Sequence, residues 1–111
     1  MNAASAPVVD GASGVPVDPT LPVGTIVAAT VDGLRKAVIR HAAGWVMLDD
    51  SCPHAQCPFT EDGEVADEAT LICNCHGSEF DLRTGQVQLG PAAEPVHVTP
   101  LRADSSGLYP H

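Results

Sequence analysis

A chain of 111 residues has room for one domain. Its 14 acidic residues against five basic ones give a formal charge of −9, which argues against nucleic acid as a partner, because phosphates would be repelled. No apolar run approaches the roughly 20 residues of a membrane span, and the N-terminus lacks the basic-then-apolar pattern of a secretory leader. The charge keeps such a chain soluble and suits docking against a partner with a basic patch. The apolar residues are mostly Val, Ala and Leu. They make a modest core, which gains from a covalent or metal staple.

Residues 1–24 are rich in Ala, Pro and Gly and read as a partly flexible arm, within which "PVVD" is a possible edge strand. The texture changes at Thr25, and residues 25–111 read as the folded domain. "TIVAATV" (25–31), "KAVIRH" (36–41) and "WVMLD" (45–49) are short β-branched runs separated by "DGL" and "AAG", which predict a meander. "TLIC" (70–73), "SEFDL" (78–82), "QVQLG" (86–90) and "VHVTPL" (96–101) continue the series, with "RTG" as a further tight turn. No stretch sustains a helical period. The expected fold is all-β, a small antiparallel sandwich or barrel of short strands.

Two segments do not suit any regular element. "SCPHAQCPF" packs two cysteines, one histidine and two prolines into nine positions, and "CNCHGSEF" again holds two cysteines and a histidine. Each follows an expected strand, so each lies on a loop that a rigid sheet can aim. Two disulfides would leave both histidines unexplained. A structural zinc site is chemically reasonable, but neither half is a plain C-x2-C and the histidines stand at different offsets. A site with two cysteines and two histidines, one of each per loop, uses C-x-H and C-x2-H together.

With "FDLRTG" and "GPA" (90–92) behind them, these motifs resemble the Rieske [2Fe–2S] family, over most of the chain from about Gly24 to Tyr109. The resemblance implies one [2Fe–2S] cluster held on two loops. Cys52 and Cys73 would bind one iron; His54 and His76 would bind the other. Neutral imidazoles in place of two thiolates make the cluster less negative, which raises its potential above plant-type ferredoxins. Cys57 and Cys75 match the cysteines that form a disulfide in the Rieske proteins of cytochrome bc complexes. Closing a loop of about 17 residues is worth roughly 3 kcal/mol on the chain-entropy estimate. Ser78 and Phe80 would lie against the cluster, and Gly90 and Pro91 would belong to a loop shielding it from a third side.

The branch within the family is read from details. The extra cysteine pair and "CHGS" resemble the quinol-oxidising branch, where Ser78 would donate to a bridging sulfide. That branch has Tyr where this chain has Phe80, Thr where it has Pro53, and Gly where it has Gln56. "LDDSCPH" and "FDLRTGQV" instead resemble the small Rieske ferredoxins that feed oxygenases. Acids crowd the motifs (Asp49, Asp50, Glu61, Asp62, Glu64, Glu79, Asp81), so the expected potential lies between the branches, within about −150 to +300 mV. The expected function is one-electron transfer between a donor reductase and an acceptor oxygenase or other redox enzyme, with no catalysis by the chain itself. The alternative is the redox head of a membrane quinol-oxidising or other multi-subunit oxidoreductase; a zinc or disulfide structural module ranks below both. A native start at Met1 implies the cytoplasm, whereas a removed leader or anchor implies an extracytoplasmic setting.

Overall fold

The computed structural model describes residues 8–9, 14–53, 56–104 and 107–110. Its frame is the meander: β2 (Ile26–Val31), β3 (Leu34–His41) and β4 (Gly44–Asp49) pair antiparallel in sequence order. Asp32 and Gly33 join β2 to β3 with positive φ at both positions, 52° and 82°. That is the turn geometry matching the twist of paired strands, and "DG" is the sequence that tolerates it. β1 (Val8–Val9), the edge strand anticipated in "PVVD", adds to β2 in parallel.

After β4 the chain leaves this sheet and builds a second one before returning. A single helical turn, α1 (Phe59–Asp62), leads into β5 (Gly63–Ala66), β6 (Thr70–Cys73), β7 (Ser78–Asp81) and β8 (Val87–Leu89). These four strands pair antiparallel in order. The chain then comes back as β9 (Thr99–Asp104) against β4, and β10 (Gly107–Pro110) closes that edge, giving the first sheet the order β1-β2-β3-β4-β9-β10.

The fold is therefore the all-β arrangement expected, with three local differences. β5 and β10 fall in stretches that carried no strand signal, and the run expected at 96–101 is strand only from Thr99. Val96 instead donates its N–H to the Gly85 carbonyl at 2.9 Å, docking the return segment on the "RTG" turn. A Cβ at Gly85 would collide with the Val96 carbonyl oxygen, so this close approach needs glycine.

The middles of β3 and β4 are buried on both faces, which explains the continuous apolar stretches "AVI" and "WVML" within them. Ala37 opposite Leu48 and Ile39 opposite Val46 face the second sheet, in the cluster that also holds Phe59, Leu71, Phe80 and Leu82. Val38 opposite Met47, together with Trp45, faces the other way, where Val15, Val17 and Leu108 cover them. The packing thus reaches back to Val15, inside the segment whose composition suggested an arm. Arg40 braces the neighbouring turn, donating from Nη1 to the carbonyls of Pro19 and Leu21 at 2.7 and 2.9 Å while its guanidinium lies 5.7 Å from the Trp45 ring.

Candidate metal centre

Both ligand loops leave strand ends, β4 and β6, and Cys52 and Cys73 pack in the cluster shared by the two sheets. The first begins at the end of β4. Cys52 donates its N–H to the Cys57 carbonyl at 2.9 Å, and Gln56 donates to the Cys52 carbonyl at 2.6 Å, so the segment closes on itself. Closing it requires a left-handed residue, and Gln56 supplies it with φ 59°. The second loop joins β6 to β7. Gly77 donates to the Cys73 carbonyl at 2.7 Å with φ 85°, and the register brings Cys73 opposite Ser78.

A buried carboxylate paired with a half-exposed arginine fixes the entry to the first loop. The Asp50 side chain is wholly buried: one carboxylate oxygen accepts the Thr60 N–H at 2.8 Å, and the other accepts the Thr60 hydroxyl at 2.6 Å and Arg35 Nε at 2.7 Å. This bolts the end of β4 to α1. The loops are also tied to each other. Asn74 donates its N–H to the Asp62 carbonyl at 2.8 Å and its side-chain amide to Glu64 at 3.0 Å. Cys57 and Cys75 are joined by a disulfide across a sequence separation of 18.

The other two cysteines are reduced and almost fully buried, each 1% exposed. Their thiols are neighbours. Burial pushes the Cys73 thiol up, the adjacent Cys52 thiol adds to the rise, and backbone N–H groups of Cys75 and His76 directed at the Cys73 sulfur oppose it. Two thiols held together in an apolar core have little packing reason to sit beside amide donors. Amides aimed at sulfur are the stabilisation that a metal-bound thiolate needs. The donor set thus fits an iron–sulfur centre. His76 is exposed, on the turn between β6 and β7. His54, expected as the other imidazole, lies outside the described residues, as does His111.

The remaining expected neighbours take distinct places. Ser78 is fully buried, and its Oγ accepts the Ala92 N–H at 3.0 Å, leaving the hydroxyl proton for another acceptor. That bond ties β7 to the "GPA" loop, in which Gly90–Pro91 is cis and exposed while Ala92 packs in the cluster with Cys52 and Cys73. Phe80 is fully buried and meets Phe59 edge-on, ring centroids 6.0 Å apart, so it floors the site and offers no polar group. Sequence reasoning missed the roles of Thr60 and Arg35, and counted Asp50 only as a charge. The clue available was the acid two residues before a ligand, but its partner stands 15 residues away. Asp49 and Asp81 are also ion-paired, with Lys36 at 2.6 Å and Arg83 at 3.1 Å.

Comparison with known proteins agrees with this geometry. The profile of the Rieske [2Fe–2S] domain matches residues 15–100. The 3-phenylpropionate/cinnamic acid dioxygenase ferredoxin subunit of Photorhabdus laumondii is 30% identical over 73 residues, covering 66% of this chain and 69% of that protein. The Shigella boydii protein of the same description is 31% identical over 62 residues, 56% of this chain and 58% of its own length. Among solved structures, the ferredoxin of carbazole 1,9a-dioxygenase from Nocardioides aromaticivorans IC177 superposes with a TM-score of 0.72 at 26% identity, covering 87% of this chain and 97% of that one.

Proposed function

The chain belongs to the Rieske [2Fe–2S] domain family, and on that premise we propose that it is a one-electron carrier of the ferredoxin type, taking electrons from a reductase and delivering them to an oxygenase or other redox enzyme. The observation that carries this reading is the overlap with the carbazole dioxygenase ferredoxin: the shared fold accounts for 97% of that protein. The chain matches a carrier nearly end to end. A cavity of about 270 Å³ beside His41, Glu68 and Arg83 lies at the opposite end of β4 from Cys52, away from the metal centre.

In this reading Cys52 and Cys73 would hold one iron as thiolates, and His54 and His76 would hold the other. The bound cluster supplies the uptake and release of a single electron. The chain's own residues do the rest. The Phe59–Phe80 floor excludes water beneath the thiolates. The amides of Cys75 and His76 stabilise negative charge on the Cys73 sulfur, and Ser78 aims its hydroxyl proton from a position fixed by Ala92. His76, on the exposed turn, would stand between the cluster and a docked partner. Of the acids near the motifs, Asp49, Asp50 and Asp81 have cationic partners within the chain, so Glu61, Asp62, Glu64 and Glu79, on α1, β5 and β7, are left to meet a basic patch on the partner.

The test is stopped-flow reoxidation of the reduced protein by a Rieske-type dioxygenase, at low and at high salt. A carrier gives reoxidation much faster than in air-equilibrated buffer, slowed by salt. The Cys57–Cys75 disulfide favours a second reading, the redox head of a quinol-oxidising assembly. Rapid reduction of the protein by a quinol, with no acceleration by the oxygenase, would select that reading instead. No helix among the described residues is long and apolar enough to cross a membrane.

A further inference from the structure

The disulfide has a carboxylate beside it. A carboxylate oxygen of Asp62 and the sulfurs of Cys57 and Cys75 all lie within 4.8 Å of one another, and all three residues are partly exposed. Backbone bonds hold the acid there. The Asp62 N–H donates to the Pro58 carbonyl at 2.9 Å, and the Asp62 carbonyl accepts the Asn74 N–H at 2.8 Å, tying the residue to both loops. Glu61 and Glu64 flank it, and none of these three acids enters a salt bridge among the described residues. The approach to the sulfurs from α1 is therefore lined by negative charge.

We infer that Asp62 is an electrostatic guard of the Cys57–Cys75 disulfide, discriminating against anionic thiols and leaving the bond open to cationic ones. Reduction begins when a thiolate attacks one Sγ. The Sγ–Sγ bond breaks as a mixed disulfide forms, and the other cysteine departs as a thiolate with the bonding pair. A second thiolate then displaces the first sulfur. Two small thiols are oxidised to their disulfide, and both cysteines are reduced, taking protons from solvent. The incoming thiolate brings its negative charge up to the Asp62 carboxylate, and the departing sulfur develops that charge beside it. Repulsion between unit charges about 4 Å apart in water corresponds to about a fivefold loss of rate at low salt, and 1 M salt screens most of it. An anionic reductant carries further charge into the same field; a cationic one offsets it. The clamp over the two ligand loops thus withstands anionic thiols without being buried.

The experiment follows opening of the disulfide in the cluster-loaded protein, by alkylation and intact mass. The reductants are 2-mercaptoethanesulfonate and cysteamine at equal thiolate concentration. Asp62→Asn is expected to raise the rate with the sulfonate about fivefold and to leave the cysteamine rate level or lower. Asp62→Glu keeps the native preference, and 1 M salt brings the native protein close to the Asn variant. An unchanged visible spectrum verifies that the variant retains its centre, and Asp62→Ser is the second neutral variant should Asn disturb the loop. An anionic-to-cationic rate ratio that is the same in the native and neutral proteins at low salt overturns the inference, since the preference would then belong to the net charge of −9 alone.

Discussion

Gln56 holds a left-handed backbone, φ 59°, between Cys52 and Cys57, where a side chain of L-configuration costs about 1 kcal/mol or more. The resemblance to the quinol-oxidising branch marks this as a glycine position, and the structure gives the physical reason. Gln56→Gly is expected to stabilise the holoprotein by up to about 1 kcal/mol, less the entropy that glycine adds to the unfolded chain. A urea unfolding midpoint that rises for Gly and stays put for Gln56→Ala checks it. Ser78 bears a different burden, because its Oγ is the acceptor for the Ala92 N–H in a fully buried place. Ser78→Ala orphans that donor at a cost of about 1–3 kcal/mol and removes the hydroxyl proton from the centre, so both thermal stability and reduction potential should fall. A potential that does not move would mean that the hydroxyl points elsewhere. That both Cys–His segments lie at the ends of strands was legible from the sequence because each is local, a few residues with chemistry that no strand requires, whereas Ser78 and the proline loop came into view only through the family resemblance.

At the scale of elements, two braces hold the ligand loops: the Asp50–Arg35–Thr60 network at the base of the first loop, and the disulfide between the loops. Replacing Cys57 and Cys75 by Ser is expected to cost about 3 kcal/mol on the chain-entropy estimate and to hasten bleaching of the visible spectrum under chelator. Equal bleaching rates with and without the disulfide would show that it does not hold the loops. The strands themselves were readable where alternation or a β-branched run was strong, as in β2, β3, β4, β6 and β7. β5 was not, because "GEVA" sits between acids and lacks a second apolar neighbour of the right period. α1 is one turn and has no period to detect. The pairing of Trp45 with Leu101 spans the whole inserted sheet, and a contact of that range leaves no local signature. The Asp50 brace was missed for the same reason: burial of an acid is decided by Arg35, which belongs to another strand.

Across the whole molecule, charge is distributed unevenly in function. Asp49, Asp50 and Asp81 are each paired with a cation of the chain, so the acids near the motifs weigh less against reduction than their number suggests. Far from the loops, burial and the nearby Arg83 and Arg40 hold the His41 imidazole below its ordinary value of 6.5, with Asp81 opposing them. Its Nδ1 accepts the Ala43 N–H at 3.2 Å, which favours the neutral ring. The unfolded chain takes up that proton more readily than the folded one. His41 therefore supports the fold fully above about pH 6.5, and its contribution is lost as pH falls through the lowered folded value. The melting temperature should drop between pH 7.5 and 5.5, and His41→Asn should flatten that part of the profile; an identical slope in the variant would remove His41 from the account. At the other end of the molecule, two thiolates and two imidazoles would share two irons. A potentiometric titration of the purified holoprotein, followed by visible absorption, tests this ligand set most directly. A single one-electron wave is expected within about −150 to +300 mV, between the ferredoxin and quinol-oxidising extremes; a midpoint of about −400 mV, the value of an all-thiolate cluster, would rule the mixed ligand set out.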